Sequence, residues 1–146
     1  MREIIFRGKS TRNGKWLYGS YIHQTEYFGD TAECHYIVEC CPAKFNFKMM
    51  NYFPIDFETV GQYTGLTDKN GKKIFEGDII KYKNTDGIKF NGVALTVIGK
   101  VVYNEKNASF AISGKDEIGA KHYDYFPIKN IEVIGNIFDN PELLVG

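Results

Sequence analysis

Short apolar runs, several alternating with polar residues and each closed by Gly, Pro, Asn or Asp, give this chain the pattern of strands and turns. An apolar strand around Ile4-Ile5-Phe6 leads through a turn at Arg12-Asn13-Gly14 to a second strand from Trp16 to Ile22. Asn-Gly suits such a hairpin because both residues tolerate positive φ. On the second strand Trp16, Tyr18 and Ser20 share one face and Leu17, Gly19 and Tyr21 the other. Apolar groups on both faces predict a hairpin covered on both sides. Residues 25–32 read as a loop, and His35 to Cys41 as a third strand stopped by Pro42. Phe45 and Phe47 alternate with Lys44, Asn46 and Lys48, which favours a further strand.

The second half continues the pattern. Asp68-Lys69-Asn70-Gly71 is a turn, and Glu76-Gly77-Asp78 bends the chain into Ile79-Ile80-Lys81-Tyr82. Residues 83–87 read as a loop, Val93 to Tyr103 as a long strand with a kink at Gly99, and Ser113 to Asp124 as a polar excursion. Asn140-Pro141-Glu142 supports one helical turn at most. An internal echo joins the halves. Phe53-Pro54-Ile55 precedes Glu58-Thr59-Val60-Gly61-Gln62, and Phe126-Pro127-Ile128 precedes Glu132-Val133-Ile134-Gly135-Asn136. The echo predicts two strands in neighbouring or equivalent places of one sheet. The expected fold is mainly β: an N-terminal hairpin lobe, residues 1–56, packed on a small SH3-like, partly closed C-terminal β-barrel, residues 57–146.

The most specific stretch reads Gly61-Gln62-Tyr63-Thr64-Gly65-Leu66-Thr67-Asp68-Lys69-Asn70-Gly71-Lys72-Lys73-Ile74-Phe75-Glu76-Gly77-Asp78-Ile79-Ile80. With Arg2-Glu3-Ile4-Ile5-Phe6-Arg7-Gly8-Lys9 and Gly14-Lys15-Trp16-Leu17-Tyr18-Gly19 before it, and the segment from Ile131 to Leu144 after it, the chain resembles the YopX family. These are small proteins found mainly in bacteriophages and prophages. The resemblance implies a β-rich fold and a phage or prophage origin, and supplies no catalytic or binding residues. Taken by chemistry, Gly61, Gly65, Asp68, Gly71, Gly77, Asp78 and Gly135 read as scaffold: glycines for turns and close approaches, carboxylates for backbone N–H groups.

At 146 residues, 43% hydrophobic and 25% charged, the chain has the content of a folded domain. Its formal net charge is zero, against the basic excess usual in dedicated DNA binders. The balance is uneven. Residues 61–106 carry eight Lys against five acids, and residues 107–146 three Lys against six acids. No apolar run reaches the roughly 20 residues of a membrane helix. Arg2, Glu3 and Arg7 break any secretory core, so the host-cell cytoplasm is expected, with Cys34, Cys40 and Cys41 reduced.

Candidate chemistry is sparse. Cys34-His35 and Cys40-Cys41 lack zinc spacing, because adjacent strand residues point to opposite faces, so no metal and no cofactor is expected. Glu76 and Asp78 have no partner base nearby, and His23, His35 and His122 lie far apart in sequence. No nucleophile elbow, phosphate loop or dinucleotide fingerprint occurs. What stands out is aromatic content: ten Tyr, eleven Phe and Trp16 make up 15% of the chain. The expectation is a non-catalytic accessory protein acting through a host or phage protein partner, or through a second copy. The alternative is nucleic-acid binding by Lys72, Lys73, Lys81 and Lys83 with Tyr63 and Tyr82 as stacking platforms.

Overall fold

The computed structural model describes residues 1–28, 30–39, 51–90, 92–126 and 130–145. The chain forms two compact units, Met1–Tyr63 and Thr64–Gly146. Mainly β structure is borne out. Among the described residues no helix is long and apolar enough to cross a membrane.

Unit 1 is built from β1 (Phe6–Ser10), β2 (Trp16–Phe28), β3 (Asp30–Glu39) and most of β4 (Asn51–Thr67). Each pairs antiparallel with the next, and β1 also pairs with β4, which closes a ring. That closing ladder slips between Arg7 and Lys9. At the slip the Lys9 N–H donates to Thr59 Oγ1 at 2.8 Å, and the Thr59 hydroxyl donates to the Asp56 carbonyl at 2.6 Å. A side chain thus replaces the missing rung, because a buried backbone donor must find a partner. Ile37, Val38, Ile55 and Tyr63 are buried here. The Arg7 guanidinium lies over the Trp16 ring, 4.7 Å from its centroid.

Unit 2 holds the end of β4, from Thr64, beside β5 (Lys73–Phe75), and an antiparallel sheet ordered β10-β6-β7-β8-β9. These strands are β6 (Asp78–Phe90), β7 (Val93–Asn104), β8 (Ser109–Asp116), β9 (Lys121–Tyr125) and β10 (Glu132–Asn136), followed by a 3-10 turn, η1 (Pro141–Leu144). Ile80, Tyr82, Val97, Val101, Ile112 and Val133 bury one face of this sheet together with Ile74 and Ile131.

Several expectations change. Ring closure falls in unit 1, not in residues 57–146, because β1 uses both of its edges, one on β2 and one on β4. The echoed strands lie in different sheets: Gly61 pairs with Arg7 of β1, whereas Gly135 pairs with Ile79 of β6. Each sits beside a register slip, so the echo marks a shared local need and not a shared sheet. The second copy's Pro127 and Ile128 lie outside the described residues, as do Cys40, Cys41 and the strand around Phe45 and Phe47. Residues 25–28 and 30–32 pair between β2 and β3, through Thr25↔Glu33 and Tyr27↔Thr31, in place of the expected loop. Their β-branched and aromatic residues outweigh the polar ones. The expected loop at 83–87 coincides with a register shift between Asn84 and Lys89. The polar excursion from Ser113 is a hairpin of β8 and β9, polar because one of its faces meets solvent.

Candidate functional site

Cross-strand partners share a face, so the registers of unit 2 assign every side chain to a row. One row runs Glu132↔Lys81↔Ile98↔Lys115↔Lys121 across all five strands. The next, Val133↔Ile80↔Gly99↔Gly114↔His122, belongs to the core face. The third, Gly135↔Ile79↔Lys100↔Ser113↔Tyr123, returns to the first face. Four lysines therefore converge on the face opposite the core. They line an open concavity of about 930 Å³, bounded by Leu143 and Leu144 of η1 and floored by Thr96, Ile98 and Ser113.

Gly135 lets η1 approach. A Cβ there would stand 2.7 Å from Asn140 Oδ1 and 2.9 Å from Leu143 Cδ1. Lys115 and Lys121 lie directly opposite each other, an arrangement that costs stability unless an anion intervenes. Among the described residues, none of Lys81, Lys100, Lys115 and Lys121 makes an ion pair. Of three nearby acids two are engaged, and Asp116 and Glu117 themselves line the concavity. Glu132 pairs with Lys69 at 2.6 Å, Asp116 is committed to its turn, and Glu117 lines the rim. Tyr123, 56% exposed, stands at the β9 end.

Asp116 builds the turn that carries β9. Its Oδ1 accepts the Ile118 N–H at 3.1 Å and the Ala120 N–H at 2.8 Å, and its Oδ2 meets His122 Nε2 at 2.8 Å. Gly119, at φ +82°, donates to the Asp116 carbonyl. The same device forms the β4–β5 turn. Asp68 Oδ1 accepts the Asn70 N–H at 2.8 Å and the Lys72 N–H at 2.9 Å, and Oδ2 accepts the Val133 N–H. Gly71, at φ +81°, donates to the Asp68 carbonyl. Both turns read Asp-x-x-Gly-x, with glycine where positive φ is required. His122 thus fills the place that a backbone N–H fills at Asp68. The pair could be read as an acid–base dyad, but its geometry is that of a turn clamp. Asp78 acts locally too: its Oδ2 accepts the Phe75 N–H at 2.8 Å across the bend at Gly77, φ +80°.

The residues read from the sequence as a nucleic-acid face are not brought together. Tyr63 and Tyr82 are 6% and 3% exposed, so neither ring can stack a base. Lys72 and Lys73 lie at the β4–β5 turn and the start of β5. Lys81 is on the lysine face, with Lys83 on the same side of β6 by alternation. Lys100, Lys115, Lys121 and Tyr123 were missed, because two of these lysines belong to the net-acidic C-terminal segment and only the register gathers them. Among the described residues, His23, Glu33 and His35 of unit 1 could hold a metal ion. Cys34, between the last two in sequence, faces the other side of β3.

A family model described as YopX protein matches residues 5–145. No curated protein matches the chain significantly. A solved structure described as the crystal structure of protein EF1440 from Enterococcus faecalis is similar over 99% of both chains, at 21% sequence identity and a TM-score of 0.47.

Proposed function

The chain belongs to the YopX family, and from that premise we propose that it is a non-catalytic phage or prophage accessory protein of the host cytoplasm. Its second unit binds a single-stranded nucleic acid across the lysine face. One observation carries this reading: four lysines without ion-pair partners among the described residues line one concavity, with an exposed tyrosine beside them. From β6 to β9 the row spans about 14 Å, three inter-strand spacings, which is room for a few nucleotides. Lysines neutralise phosphates, and a tyrosine face stacks a base of any kind. With zero net charge on the chain, affinity rests on a local patch of charge such as this one.

Fluorescence anisotropy with a labelled oligothymidylate at low salt tests the reading. Binding that weakens at least tenfold in Lys115→Glu/Lys121→Glu supports it, as does a loss of about 1–3 kcal/mol in Tyr123→Ala. An absence of binding, or binding indifferent to the charge reversal, sinks it. A second reading, a protein partner or a second copy, is favoured by the exposed aromatics Tyr18, Tyr52 and Phe57 of unit 1. A partner recovered from host lysate after nuclease treatment, and lost in Tyr52→Ala or Phe57→Ala, would select it.

A further inference from the structure

We propose that His23, Glu33 and His35 form a binding site for a divalent transition-metal ion of the zinc class on the β2–β3 hairpin. His23 and His35 are direct cross-strand partners, and Glu33 lies two residues before His35 on the same face. One donor atom from each falls within 4.8 Å of the others, with His23 Nε2 3.9 Å from Glu33 Oε2. A zinc tetrahedron with bonds near 2.1 Å has edges of about 3.4 Å, so binding needs the donors to close by about 1 Å and one imidazole to reorient.

The surroundings favour one arrangement. Tyr21 Oη lies 2.6 Å from His35 Nδ1, which leaves Nε2 for the ion and lets Nδ1–H donate to the phenol oxygen. Metal-bound imidazoles commonly hold their second nitrogen in this way. Phe57 stacks on the His35 ring at 5.0 Å and fixes its plane. The His23 and His35 rings lie parallel, 3° apart and 4.6 Å between centroids. Parallel rings cannot aim both lone pairs at one ion, so one must turn. His23 is the free one, its side chain 45% exposed. Two imidazoles and one carboxylate leave the remaining positions to water or to a ligand.

Zinc titrated calorimetrically into the full chain, with cobalt absorption as a second readout, tests the site. One saturable equivalent is expected, weakened at least tenfold in His23→Ala, His35→Ala and Glu33→Gln, and unchanged in His122→Ala and Cys34→Ser. Tyr21→Phe should cost about tenfold in affinity and shift the cobalt spectrum, as a positioning residue would. Because His23 is exposed, His23→Ala leaves the fold intact by circular dichroism. An absence of saturable binding overturns the proposal, as does binding that survives His23→Ala or disappears in Cys34→Ser.

Discussion

Asp68 and Asp116 show how much one carboxylate can organise when its oxygens are shared among neighbours. Burial alone would raise the Asp68 carboxyl, but the N–H groups of Lys72, Val133 and Asn70 and the Lys72 charge outweigh it and hold it below its ordinary value of 3.8. Asp116 is held low first by its hydrogen bond with His122, against burial, with the Ala120 and Ile118 N–H groups assisting. A carboxyl depressed in the folded state stabilises above its unfolded value and loses that contribution as pH falls through the folded one. Thermal stability should therefore drop below about pH 4, and Asp68→Asn should flatten that limb. Asp68→Ala should cost about 1–3 kcal/mol in urea unfolding at pH 7, since it leaves the Val133 N–H without its acceptor. The turn-building roles of Asp68, Asp78 and Gly77 were legible in the sequence because they act within a few residues, whereas the Asp68 bond to the distant Val133 N–H was not. The twin turn at Asp116 carried the same Asp-x-x-Gly spacing, but its apolar Ile118 hid it. Tyr63 and Tyr82 misled because composition does not say which side of a strand faces the core.

Register, more than strand identity, decides what each element presents. In the core-facing row of unit 2, Gly99 and Gly114 sit opposite each other where β7 and β8 come close. A Cβ on Gly114 would collide with the Ile98 carbonyl and the Gly99 Cα. Both are backbone atoms, so no rotamer change relieves the clash. Gly114→Ala should destabilise the chain by about 1–3 kcal/mol in denaturant unfolding, whereas Gly92→Ala, with open space around it, should lose only what its positive φ imposes. The same logic explains the histidines of β2 and β3. Twelve positions apart, His23 and His35 become adjacent only because β2 and β3 stay paired from Thr25↔Glu33 to Phe28↔Asp30, a stretch whose charged and glycine residues read as loop. The hairpin of β8 and β9 was hidden likewise, its lysines reading as a polar excursion until the pairing set them in rows.

At the scale of the whole molecule, a chain with no net charge and a pI of about 6.8 has no long-range field to attract a polyanion. Any attraction must be local and screened by salt. For single strands, log affinity should fall by roughly 0.7 per log unit of salt for each phosphate neutralised, giving a slope near −3 if all four lysines engage. Lys115→Ala should reduce that slope by about 0.7, a change readable from anisotropy over a salt series. Charge near zero also removes the general repulsion that keeps proteins dispersed. That gives the paired lysines a second consequence. Among the described residues β9 ends its sheet, and such an edge offers unpaired backbone groups to any strand that approaches. Lys121 on that edge strand, and Lys115 beside it on β8, act as gatekeepers against aggregation. Lys115→Met/Lys121→Met should scatter light at concentrations where the parent stays clear, and substoichiometric polyanion should cloud the parent as well. Colloidal stability and ligand capture would then depend on the same two ammonium groups, so occupying the face would remove its guard.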